Sequence, residues 1–165
     1  MSASSFLLNC VSKLFFKDGD PELATTYMKS LNITRIPIMK LRGNRFNYLF
    51  YNAAGTFYLH KHLITNLKSS KSSLNFIQDY IVRALSNDKI LCILRALALL
   101  CKIFTEPYWK KAGDEVKTAL RMGSIYNRVV EFLTICIDDP QLIIENDIKF
   151  FIGPDSRDDG IFSSL

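Results

Sequence analysis

Apolar residues recur along most of this chain at spacings of three and four, the period of a helix with one buried face. Phe6 to Phe16 reads as a first short helix. Asp20-Pro21-Glu22 reads as a helix start: Asp can cap, Pro suits the first turn, and Glu suits the positive end of the dipole. That helix runs to about Leu31. Ile33 to Leu41, with Pro37 inside it, reads as a non-helical connector. A long helix follows from about Gly43 to Leu67, with Phe46, Leu49, Phe50, Ala53, Phe57, Ile64 and Leu67 on one face. Tyr48, Tyr51, Gly55, Leu59 and His62 line its opposite side, so it is expected between neighbours.

The second half repeats the pattern. Lys68 to Ser73 is a polar loop whose last serines can cap a helix carrying Leu74, Ile77, Ile81 and Leu85. Ser86-Asn87-Asp88 is a turn and cap. Lys89 to Phe104 is apolar nearly all round and is expected at the centre of the core. Thr105-Glu106-Pro107 is expected to end that helix and start another, which Gly113 interrupts and Asp114 recaps. Gly123-Ser124 is expected to divide that helix from a last one, which buries Ile125, Val129, Phe132, Leu133 and Cys136. Asp138-Asp139-Pro140 stops it and can cap a short helix through Ile144. The expected architecture is all-α, a compact bundle of about six to eight helices. Residues 1–152 form one helical domain and 153–165 a loose acidic tail.

Composition agrees with a folded chain: 165 residues, 48% hydrophobic and 22% charged, are enough for one real core. The formal charge of +5 conceals an uneven distribution. No acid lies between Glu22 and Asp79, a stretch holding Lys29, Arg35, Lys40, Arg42, Arg45, Lys61, Lys68 and Lys71. Asp138, Asp139, Glu145, Asp147, Asp155, Asp158 and Asp159 crowd the other end. Such asymmetry points to an anionic partner for the basic half, or to attraction between the two ends.

Candidate chemistry is sparse. Cys10, Cys92, Cys101 and Cys136 show no CxxC spacing and read as buried free thiols, with Cys92, Cys101 and Cys136 in apolar helical patterns. His60 and His62, two apart on a helix, point to different sides, so no metal site or cofactor is expected. There is no phosphate-binding glycine loop, nucleophile elbow or HExxH motif. Asp114, Glu115, Asp138 and Asp139 sit at expected helix ends and read as caps. The start of the chain lacks a signal-peptide pattern, and the apolar run from Ile90 to Phe104 is too short to span a membrane. The expected setting is intracellular, nuclear or cytoplasmic. The aromatics Tyr48, Tyr51, Phe57 and Tyr58 share a helix with Arg45 and Lys61, but those two bases fall on opposite flanks, which favours packing over strand binding. Lys110, Lys111, Lys117 and Arg121 make a second basic surface beside Pro107-Tyr108-Trp109.

Arg42-Gly43-Asn44-Arg45-Phe46-Asn47, followed by Tyr51-Asn52-Ala53 and preceded by Ile36-Pro37-Ile38-Met39, resembles a segment of hAT-superfamily transposases. There an Arg-Trp-Asn-type motif opens a helix of an all-helical insertion within an RNase H-like core. Arg45 and Asn47 match the motif and Phe46 replaces its Trp. The resemblance covers residues 20 to 140 and implies an insertion-domain fragment or domesticated remnant. It carries over no catalytic residue, because the family's metal-binding carboxylates would lie outside the matched region. The expected function is therefore non-catalytic contact with DNA or a protein, with Arg42 and Arg45 as the phosphate-contacting residues. The alternative is a helical protein-interaction domain with no nucleic-acid role, which predicts an exposed apolar groove or a defined oligomer.

Overall fold

The computed structural model describes residues 2–16, 21–33, 35–40, 46–70, 73–112, 119–145 and 160–165. The fold is all-α, with no strand among these residues. Helices α1 (Ala3–Phe16), α2 (Pro21–Ser30), α3 (Phe46–Ser70), α4 (Phe76–Leu85) and α5 (Asp88–Leu100) build the main core. A π-helical turn (Cys101–Thr105) then leads directly into α6 (Glu106–Ala112). Helices α7 (Ala119–Asp138) and α8 (Leu142–Glu145) follow, and a 3-10 turn (Phe162–Ser164) closes the chain.

Local chemistry explains the boundaries. Helix α2 ends in a Schellman arrangement: the Ile33 N–H reaches Met28 O at 3.0 Å and the Asn32 N–H reaches Lys29 O at 2.9 Å. This requires a left-handed residue at the corner, and Asn32 takes φ 60° there. The cap of α4 is Asn75 rather than the serines before it. Its Oδ1 accepts the Gln78 N–H at 2.9 Å, while Gln78 Oε1 accepts the Asn75 N–H at 3.1 Å. Asn87 caps α5 through the Lys89 and Ile90 N–H groups. After α7, the Asp139 carboxylate takes the Gln141 N–H at 3.2 Å and starts α8. Asp20 and Asp114, the other expected caps, lie outside the described residues, as does Gly113.

Helix α3 is the axis of the bundle, packing against α1, α2, α4, α5 and the π-turn. Its interior positions include Asn52, Ala53, Ala54, Thr56, Leu59, Leu63 and Leu67. Around it pack Leu7, Leu8, Val11, Met28, Ile81, Leu85 and Leu94. A smaller cluster joins Phe104 to Phe132 and Cys136 of α7. A third joins Ala54, Ala98 and Cys101 to Ile161 and Leu165 at the end of the chain. Residues 153–159 of the expected tail lie outside the described residues.

Other expectations need correction. Helix α5 is not central: only Leu94 and Ala98 are buried, Ile93 and Arg95 are exposed, and so is Cys92, a thiol expected to be buried. Its apolar residues outnumber the neighbours available to cover them. Helix α6 does start at Glu106, as Thr105-Glu106-Pro107 suggests, but no break in the helical backbone precedes it. The Glu106 N–H instead bonds back to Cys101 O, five residues earlier, and this widened turn is what admits a proline that lacks its own N–H. Gly123-Ser124 does not divide the last helix either, since α7 runs through both.

The connector between α2 and α3 is a strap laid over α3. Pro37 and Met39 sit directly on the helix: a Cβ at Gly55 would lie 1.8 Å from Pro37 O. The buried Asn52 amide pairs with the Met39 peptide on both edges, accepting its N–H at 2.7 Å and donating to its carbonyl at 2.9 Å. Ser12 of α1 donates to the same carbonyl at 3.1 Å. A side-chain amide thus replaces the strand partner that this extended segment would otherwise need.

Candidate ligand cleft and basic surface

The strap, α3 and the π-turn with α6 enclose two adjoining clefts. The first, about 370 Å³, is lined by the half-buried Tyr48 and Tyr51, by Cys101 and by Trp109. The second, about 470 Å³, is lined by Arg35, Tyr51, Tyr58, Lys102, Lys110 and Ile161 among others. Tyr51, Glu106 and Lys110 border both. The first cleft is aromatic and the second cationic.

A charge ladder with helical spacing stiffens the shared wall. Lys102 is only 1% exposed and donates its ammonium to Glu106 Oε2 at 2.8 Å. Lys110 reaches the other oxygen, Oε1, at 3.0 Å. One carboxylate therefore serves two ammonium groups. Arg35, on the strap, is exposed and has no ion-pair partner among the described residues. Burial pushes the Tyr51 phenol above its ordinary value, against the pull of Arg35. Tyr51 is therefore neutral at physiological pH and keeps a proton to donate.

Trp109 lies at the mouth of the first cleft with half its surface exposed. The sequence places Tyr48 and Tyr51 on one helix and Trp109 and Lys110 on another, with nothing local to join them. The π-turn carries the second pair to the first. Pro107, three positions past the apolar run that ends at Phe104, is the one sequence signal that could have pointed there.

Arg42 and Arg45, the expected phosphate contacts, lie outside the described residues, as do Lys71 and Lys117. The same holds for the side chains of Phe46, Lys111 and Arg121. The rest of the acid-free stretch is visible. Lys29, Arg35, Lys40, Lys61 and Lys68 are all exposed, and none makes an ion pair among the described residues. Lys61 and Lys68, seven apart, project from one side of α3. Tyr58 and Tyr51 line the cationic cleft, whereas Phe57 packs against the main core and the His60 ring.

Helix α7 presents a second kind of surface. Tyr126, Val130 and Ile137 form an exposed apolar stripe beside the buried face, and Ile137 is 78% exposed. Among the described residues no group of three or more His, Cys, Asp or Glu is placed to hold a metal ion, and no helix is long and apolar enough to cross a membrane. Comparison with protein-family models, with curated proteins and with solved structures finds no match.

Proposed function

We propose that this chain is a non-catalytic helical module that engages an anionic partner, DNA in the first instance, through its acid-free basic half. The observation that supports this most is the exposure of Lys29, Arg35, Lys40, Lys61 and Lys68 without carboxylate partners among the described residues. Ammonium and guanidinium groups that are not neutralised within the fold are available to displace counterions from phosphates. Arg42 and Arg45 extend the same stretch of sequence and are the residues assigned to phosphate contact. Descent from the helical insertion of a hAT-type transposase, with an intracellular setting, belongs to this reading. Fluorescence anisotropy with a labelled DNA duplex tests it. Binding should weaken steeply with salt and weaken further in the Arg42→Glu, Arg45→Glu double variant. Absence of binding at low salt removes the DNA reading.

The stripe on α7 favours a second reading, a protein-interaction domain with no nucleic-acid role. Exposed apolar side chains at Tyr126, Val130 and Ile137 suit a partner's apolar surface. Light scattering should then report a defined oligomer, or a complex, that Ile137→Lys disrupts without unfolding the chain.

A further inference from the structure

We infer that α7 pairs with the α7 of a second copy of this chain, antiparallel about a two-fold axis midway between Val130 and Leu133. This rests on the second reading above, an apolar interaction surface on α7, and names its occupant.

Helix α7 carries more apolar surface than its own fold covers. Phe132 and Cys136 pack in the cluster around Phe104, with Val129 and Leu133 partly buried beside them. Tyr126, Val130 and Ile137 continue the same apolar arc and stay 59%, 44% and 78% exposed. The arc spans about half the helix circumference, broader than the roughly 100° stripe that a helix needs to face one core. Gly123, Tyr126, Val130, Leu133 and Ile137 alternate at spacings of three and four, the seam of a paired helix. That seam is about 21 Å long and holds no charged residue. It complements itself when the second helix is reversed. Tyr126 then meets the second copy's Ile137, and Val130 meets its Leu133, so every layer joins a larger side chain to a smaller one. A parallel pair would instead set Tyr126 against Tyr126 and Val130 against Val130, one thick layer beside one thin. Asn127 and Thr134 line the open flank, exposed and uncharged, so no like charges meet across the axis. At roughly 150–250 Å² for a whole aromatic side chain and less for an aliphatic one, the three exposed side chains offer roughly 300 Å² on each copy. A patch of that size marks an interaction site. It falls short of the roughly 800 Å² a side of a standard interface, so the dimer is weak and forms at micromolar concentration.

Light scattering of the full chain over a concentration series tests the pairing. The mean mass should rise from monomer towards dimer between about 1 and 100 μM. Ile137→Lys should weaken association about tenfold or more and leave the helical content unchanged. Ile93→Lys, at an exposed apolar position on α5, should change neither. Cross-linking tests the register, in a chain whose exposed Cys92 is replaced by serine. Mild oxidation of the Tyr126→Cys, Ile137→Cys double variant should give a disulfide-linked dimer, because each new thiol faces the other position across the axis. Neither single variant should cross-link, since the two positions lie roughly 16 Å apart along the helix. A chain that stays monomeric to about 100 μM overturns the self-pairing and leaves the α7 surface to a different partner. A dimer that Ile137→Lys leaves intact overturns both this proposal and the reading of α7 on which it rests. A single variant that cross-links to itself overturns the antiparallel arrangement.

Discussion

Asn52 and Met39 are joined edge to edge: the side-chain amide of one takes both the N–H and the carbonyl of the other's peptide, at 2.7 and 2.9 Å. Asn52 is buried on α3, and the pair fixes where the strap runs. That path sets Arg35 and Met39 on the walls of the clefts.

Asn52→Leu should destabilise the fold by about 1–3 kcal/mol, since the Met39 N–H loses its acceptor and the Met39 carbonyl keeps only Ser12. Asn52→Asp should cost more. It keeps the acceptor for the Met39 N–H but sets a buried carboxylate against the Met39 carbonyl. Urea unfolding of the two variants checks the order.

Two glycines in helices should respond to alanine with opposite signs. Gly123 has open space around its missing Cβ, so Gly123→Ala should gain about 0.5–1 kcal/mol from helix propensity alone. Gly55→Ala forces a methyl group to within 1.8 Å of Pro37 O, and the strap must lift. Its propensity gain is overwhelmed and the melting temperature should fall. Calorimetry of both variants under one buffer settles the comparison.

The charge ladder predicts an asymmetry. Glu106→Ala removes the carboxylate to which the buried Lys102 ammonium donates and should cost about 1.5–3 kcal/mol. Lys102→Met should cost less, because Glu106 is partly exposed and keeps Lys110. Denaturant midpoints for the two variants test this, and a larger loss in Lys102→Met would contradict it.

Helix segmentation was largely legible in the sequence because caps and periodicity are local. Asn87, Asp139 and the stop after Asp138 act where their residue types suggest. What was not legible depended on distant contacts. Thr105-Glu106-Pro107 looks like a stop, yet the backbone absorbs the proline by widening one turn. Ile90 to Phe104 looks central, yet burial depends on how many neighbours reach it. The clefts were invisible for the same reason: Tyr48 and Trp109 are sixty-one positions apart and meet only through the packing of α3 against the π-turn. Asn52, read as part of a motif, acts as a structural clamp that no spacing rule suggests.

The thiols should separate by accessibility and by pH. Cys92 is exposed and Cys10, Cys101 and Cys136 are buried, so a native chain should show one fast-reacting thiol and three slow ones. Burial pushes the Cys10 thiol above its ordinary value, near 9.0, with Lys13 pulling the other way. The unfolded chain therefore releases this proton at lower pH than the folded chain. The resulting stabilisation is intact below the ordinary thiol value and is lost as pH rises through the higher folded value. Stability should decline above about pH 9, and Cys10→Ala should flatten the decline.

The most direct test of the basic half as an anion-binding surface is the salt dependence of DNA affinity. A plot of log affinity against log salt should fall linearly, with a slope of about −0.9 for each phosphate neutralised. Replacing Lys61 and Lys68 with glutamine should weaken binding and make the slope shallower, by about one unit for each phosphate no longer engaged. A parent chain whose affinity does not depend on salt, or a double variant indistinguishable from it in affinity and slope, would contradict the account.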